Sequence, residues 1–131
     1  MSFFGSHSHS EVAHAADRFI SKMDEGQLTA TIQDEQAKMV HDARVALVQS
    51  VLDAFRHRGE SSDDVAEAAG VPVERLLLAE PDGVATLLAY VARNAGLLKE
   101  ALTTMIESRP ASVAQLPQSI IDGVTSQLAR A

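Results

Sequence analysis

Apolar positions recur along this chain at helical spacing, and no useful run shows the two-residue alternation of a strand. Ser10 reads as an N-cap for a helix over about 11–23, on which Val12, Ala16, Phe19, Ile20 and Met23 share one apolar face. Asp24 is placed to cap the next helix, with Gln27 at the capping-box position. That helix runs over about 25–58 and carries Leu28, Ile32, Met39, Val40, Ala43, Leu47, Val51 and Phe55. Arg56, His57 and Arg58 close its last turn, where positive charge suits the helix dipole, and Gly59 ends it. At ~1.5 Å per residue it would reach roughly 50 Å, so a break near Asp34–Gln36, where the stripe thins, is the alternative.

Ser61 with Asp64 opens a short helix that ends at Gly70, and Pro72 starts another over about 72–79. Pro81-Asp82-Gly83 reads as a turn with Asp82 as the cap of a helix over about 83–108. There Val84, Leu88, Val91, Ala95, Leu98, Leu102 and Met105 step by fours and threes, a coiled-coil-like seam widened by Leu87, Leu97 and Ile106. Pro110 stops it. After Pro117, the residues Ile120, Ile121, Val124 and Leu128 mark a last amphipathic helix. The pattern predicts an all-α bundle of five or six helices: residues 1–10 are a flexible lead-in, and 11–131 form a single all-helical domain. The seam has two readings. It packs inside that bundle, or Leu88, Val91, Leu98 and Leu102 zip against a second copy and make a homo-oligomer.

Residues 59–83, GESSDDVAEAAGVPVERLLLAEPDG, resemble a helix-turn-helix. Val65, Ala66, Ala69, Gly70, Val71, Leu76 and Ala79 fall where that motif packs its two helices. Ala66 is the small residue at their crossing, Gly70 supplies the positive φ of the turn, and Val71 is the apolar plug after it. Arg58 through Glu80 is similar, without a gap, to the phage-repressor (Cro/repressor) type. Gly70 through Val91 is similar to the tetracycline-repressor type. The resemblance implies DNA binding by a small dimeric transcriptional regulator, with residues 72–74, 77, 78 and 81 facing the major groove.

The residues at those reading positions carry different chemistry. Pro72, Val73, Glu74, Leu77, Leu78 and Pro81 offer no side-chain donor for a base edge or phosphate. Residues 61–82 hold six acidic side chains against the single base Arg75, a local charge of −5. The whole 131-residue chain is acidic too, with a net charge of −7 and a pI near 5.1. Phosphates are repelled by such a surface, which disfavours nucleic acid. The expected partner is therefore a protein, or another copy of the chain, met by Val73, Leu77 and Leu78. Two alternatives stay open: those leucines pack under the 25–58 helix, or Arg56, Arg58 and Arg75 grip phosphates. As an interaction or assembly subunit, the protein would serve as an adaptor or as a component of an oligomeric or phage-type particle.

Catalysis finds no support. With no cysteine, no Gly-x-Ser-x-Gly and no Gly-rich loop ending in Lys, neither a nucleophile nor a phosphate cradle is marked, and no cofactor is called for. Aromatic residues are 4% of the chain, with no Trp and one Tyr, too few for a base-stacking platform. His7 and His9 could chelate an ion, and Glu11 with His14 has the spacing of one half of a di-iron carboxylate site. No second Glu-x-x-His completes it, and His41 beside Asp42 and the isolated His57 read as solvated side chains, so no metal is expected. No apolar run approaches the ~20 residues of a membrane span, and the amino terminus lacks a secretory pattern. The expectation is a cytoplasmic protein with no membrane contact.

Overall fold

The computed structural model describes residues 8–130, with His9 and Pro110 described by their backbone alone. These residues form α1 (His9–Lys22), α2 (Glu25–Glu35), α3 (His41–His57), α4 (Ser62–Ala69), α5 (Val73–Leu77), α6 (Pro81–Val91), α7 (Leu97–Ser108) and α8 (Gln118–Arg130). Two 3-10 turns, Gln36–Lys38 and Pro110–Gln115, join them, and no strand occurs among the described residues. The all-α expectation holds. The expected five or six helices become eight because two of the expected helices are each broken in two.

The local caps explain most of the boundaries. Asp24 accepts the Gln27 N–H at 3.0 Å, and Ser61 accepts the Asp64 N–H at 3.2 Å, both at the expected positions. At the amino terminus the cap is Ser8, not Ser10: its Oγ accepts the Glu11 N–H at 3.1 Å and donates to the Glu11 carboxylate at 3.3 Å. Ser8 prevails because it places an acid at the third helical position. The expected 1–10 lead-in is thus helical from His9, while residues 1–7 lie outside the described residues. Pro81, expected in a turn capped by Asp82, is instead the first residue of α6, where its fixed φ is pre-set for the helix.

The break between α2 and α3 lies where the apolar stripe thins. The break between α6 and α7 is a correction to the continuous 83–108 helix. Gly96 takes a left-handed φ of +80° and gives its N–H to Glu25 Oε2 at 2.6 Å, so a carboxylate from α2 substitutes for the carbonyl of a continuing helix. The Asn94 side-chain amide occupies the Tyr90 carbonyl at 3.2 Å, and Arg58 reaches the Ala95 carbonyl at 3.3 Å.

At the centre α3 lies along α7; α1 packs on α7 and α8, α2 on α6, and the short pair α4–α5 fills the corner between α3 and α6. One apolar cluster joins them, from Val12 to Leu128. Each fully buried leucine or phenylalanine in it contributes roughly 1.5–3 kcal/mol. Phe55 of α3 is enclosed and stacks on Tyr90 of α6, centroids 5.5 Å apart. Leu88, Val91, Leu98 and Leu102 belong to this cluster and are buried. The seam as a contact between copies is therefore corrected: its two halves face different neighbours within one chain, α6 toward α2 and α4, α7 toward α3 and α1.

One acidic pair is built into the packing of α1 on α7. Burial, then the charge of Glu107, raise the Asp17 pKa above the ordinary carboxyl value; a hydrogen bond to the Glu107 carboxyl adds to the rise, and His14 opposes it. The folded chain then holds a proton on Asp17 more tightly than the unfolded chain does. Between the unfolded value of 3.8 and the raised folded value, stability falls as pH rises, and the loss persists at neutral pH. Asp17→Asn should raise the melting temperature at pH 7, with the difference from wild type shrinking as the buffer is taken toward pH 4. An unchanged difference across that range would show that the pair is not the source.

Candidate interaction surface

The chain between α4 and α6 is built from small requirements met in order. Gly70 ends α4 with a φ of +80°, and a Cβ there would touch nothing within 4 Å, so glycine is needed for its backbone and not for space. Val71 then turns inward, as do Ala66, Leu76 and Ala79, all buried. The helix after the turn is only five residues long, shorter than the expected 72–79. It stops because Ala79 adopts a left-handed φ of +53°, which costs an L-residue on the order of 1 kcal/mol. With Leu76 and Ala79 committed to the core, Leu77 and Leu78 between them are left in solvent.

Four polar side chains hold this turn and the start of α6 against the α2–α3 segment. Arg44, only 8% exposed, donates Nε to the Ala79 carbonyl at 2.7 Å and Nη1 to the Met39 and Gln36 carbonyls at 2.9 and 3.3 Å. Gln36 donates to the Pro81 carbonyl at 2.9 Å, and Gln33 to the Ala85 carbonyl at 3.0 Å. His41 Nε2 donates to the Leu78 carbonyl at 2.9 Å, which requires the proton on that nitrogen. His41 stays largely in solvent, its side chain 60% exposed, as expected of it; the bond to Leu78 is an addition to that reading. Sequence reasoning missed this clamp, although Arg44 gave a signal: it shares a helix stripe with the buried Val48, Val51 and Phe55 and is the charge on that stripe.

Leu77 at 57%, Leu78 at 59% and Val40 at 59% are the exposed large hydrophobic residues among the described ones. The His41–Leu78 bond ties the start of α3, where Val40 directly precedes His41, to the backbone of Leu78. The alternative that Leu77 and Leu78 pack under the 25–58 helix is thereby overturned. Val73 is half-buried against the core. Val40 also lines a groove of about 410 Å³ together with Met39, Leu116, Pro117, Ile121 and Lys38.

The cations proposed for phosphate contact are each engaged with a carboxylate. Arg56 pairs with Asp53, Arg58 with Glu100 at 3.4 Å, and Arg75 with Glu80 at 3.8 Å. No cluster of three or more His, Asp or Glu side chains able to hold a metal ion occurs among the described residues; His7 lies outside them. No described helix is long and apolar enough to cross a membrane. Comparison with known proteins finds no matching family, no similar curated protein and no similar solved structure.

Proposed function

We propose that this protein is a non-enzymatic helical interaction subunit that binds a protein partner through Leu77, Leu78 and Val40, with Val73 at the edge of the contact. The observation that carries the reading is the exposure of Leu77 and Leu78 on a turn pinned by Arg44 and His41, with the exposed Val40 on the chain that supplies His41. Leaving two adjacent leucines more than half exposed forgoes part of the roughly 1.5–3 kcal/mol that full burial of each contributes, which an interface would recover. A turn already held in place loses little conformational entropy on binding. The helix-turn-helix resemblance supplies the scaffold, and its outward positions supply the contact.

The double variant Leu77→Ser, Leu78→Ser should keep its helical circular dichroism and lose less than about 1 kcal/mol of stability, because neither side chain is in the core. It should also lose the higher-mass species or the captured partner that wild type shows in light scattering and affinity capture. Identical assemblies for both chains would sink the reading.

A second reading, a dimeric helix-turn-helix DNA-binding regulator, draws support from the left-handed turn at Gly70 and the inward positions around it. It needs Arg56, Arg58 and Arg75 to exchange their carboxylates for phosphates. Titration on random duplex DNA at two salt concentrations separates the readings, since phosphate binding weakens steeply as salt rises.

A further inference from the structure

The aliphatic patch sits in an acidic frame. Glu74 precedes Leu77 by three residues, Glu80 and Asp82 follow Leu78, and Asp42, its side chain fully exposed, follows Val40 by two. Against these four carboxylates stand Arg75, already paired with Glu80, and Lys38 at the groove.

We infer that the occupant of this surface is a basic amphipathic helix of another protein, its apolar face on Val40, Leu77 and Leu78 and its cations toward Asp42, Glu74, Glu80 and Asp82. The inference rests on the preceding reading that these leucines meet a protein, and it names the partner's chemistry. Each other common mode of segment recognition lacks its receptor here. Strand addition needs a sheet edge, and the described residues form no sheet. Polyproline grooves are lined by exposed aromatic rings, whereas the exposed large hydrophobic residues here are aliphatic. Phosphorylated or acidic motifs need unpaired arginine clusters, while Arg56, Arg58 and Arg75 are each paired. Side chains on one face of a helix remain.

The electrostatics choose between partners. A second copy meeting this face around a two-fold axis would set Glu74, Glu80 and Asp82 near their own equivalents, in a chain whose net charge is −7. A basic segment turns the same carboxylates into attractive rim contacts. Val40 also lines the groove of about 410 Å³ formed with Met39, Leu116, Pro117 and Ile121, which adds apolar surface for such a helix.

The test uses the full chain and two labelled peptides of about four helical turns, identical in their leucines and carrying either lysine or glutamate on the polar face. The lysine peptide should bind saturably, one to one, about 10-fold or more tighter than its glutamate twin, and weaken as salt rises. Methyl NMR shifts should centre on Val40, Leu77 and Leu78. The Leu77→Ser, Leu78→Ser variant should lose at least about 10-fold in affinity, and the triple variant Glu74→Gln, Glu80→Gln, Asp82→Asn should narrow the lysine preference while keeping the apolar contact. Lysine-peptide binding that survives loss of the leucines would reduce the effect to bulk charge attraction and overturn the inference. So would a self-associated state whose interface maps to these methyls. If the glutamate peptide binds these leucines as well as the lysine peptide does, the inference fails but the protein-contact reading survives. If neither peptide moves the methyls and the double variant keeps every assembly of wild type, both fail.

Discussion

Replacing Arg44 with methionine is expected to lower the unfolding free energy by about 2–3 kcal/mol, measurable by urea denaturation. The guanidinium satisfies three backbone carbonyls, those of Gln36, Met39 and Ala79. Two of these belong to the first residue and the C-cap of the 3-10 turn before α3, and the third belongs to the residue with a left-handed φ that ends α5. Methionine fills similar volume and removes the cost of holding a charge away from water, so the measured loss is the hydrogen bonds less that relief. Arg44→Lys should recover only part of the stability, because one ammonium cannot reproduce the planar fork that reaches both directions. The consequence for the surface is as informative as the stability change. Without the clamp, Leu77 and Leu78 should lose their fixed position, and their methyl resonances should broaden. A loss below about 1 kcal/mol would mean that the carbonyls find other donors and that Arg44 does not set the turn.

Gly123→Ala is expected to destabilise the protein by roughly 1–3 kcal/mol, although alanine favours a helix over glycine by about 1 kcal/mol. Gly123 lies within α8, and a Cβ there would stand 2.1–2.4 Å from three atoms of the Phe19 ring on α1. Atoms cannot share that space, so either the half-buried ring swings out or the helices part. The Phe19→Ala, Gly123→Ala double variant separates the two terms. Once the ring is gone, the added methyl should be neutral or stabilising relative to Phe19→Ala alone, giving a coupling energy of opposite sign to the single-variant loss. Additive losses would place the cost of Gly123→Ala elsewhere than in this contact.

These two residues mark where reading the sequence succeeds and where it runs out. Asp24, Ser61 and Gly70 act on chain within four residues of themselves, so their capping roles were legible from spacing. The inward set Ala66, Val71, Leu76 and Ala79 was equally legible, whereas the exposure of Leu77 and Leu78 was one of the alternatives that the packing decided. Arg44 and Gly123 were not, because their partners lie 35 residues away for Ala79 and on another helix for Phe19. The seam from Val84 to Met105 failed for a related reason. Periodicity records that a face is apolar and is silent on what covers it, and here each half is covered by different helices of the same chain.

By itself, then, the sequence determined an all-helical chain, the caps at Asp24 and Ser61, the left-handed turn at Gly70 and the acidic, aliphatic character of residues 72–82, since each depends on side-chain chemistry and near neighbours. Only the tertiary structure decided that the chain breaks at Gly96, where a carboxylate 71 residues away takes the N–H. It also decided that Leu88, Val91, Leu98 and Leu102 are spent on the core, and that the start of α3 beside Val40 is tied to the backbone of Leu78. The physical reason is common to all three: a hydrogen bond or a buried contact between distant segments outweighs a local preference of about 1 kcal/mol per residue, and no local pattern encodes which segments will meet.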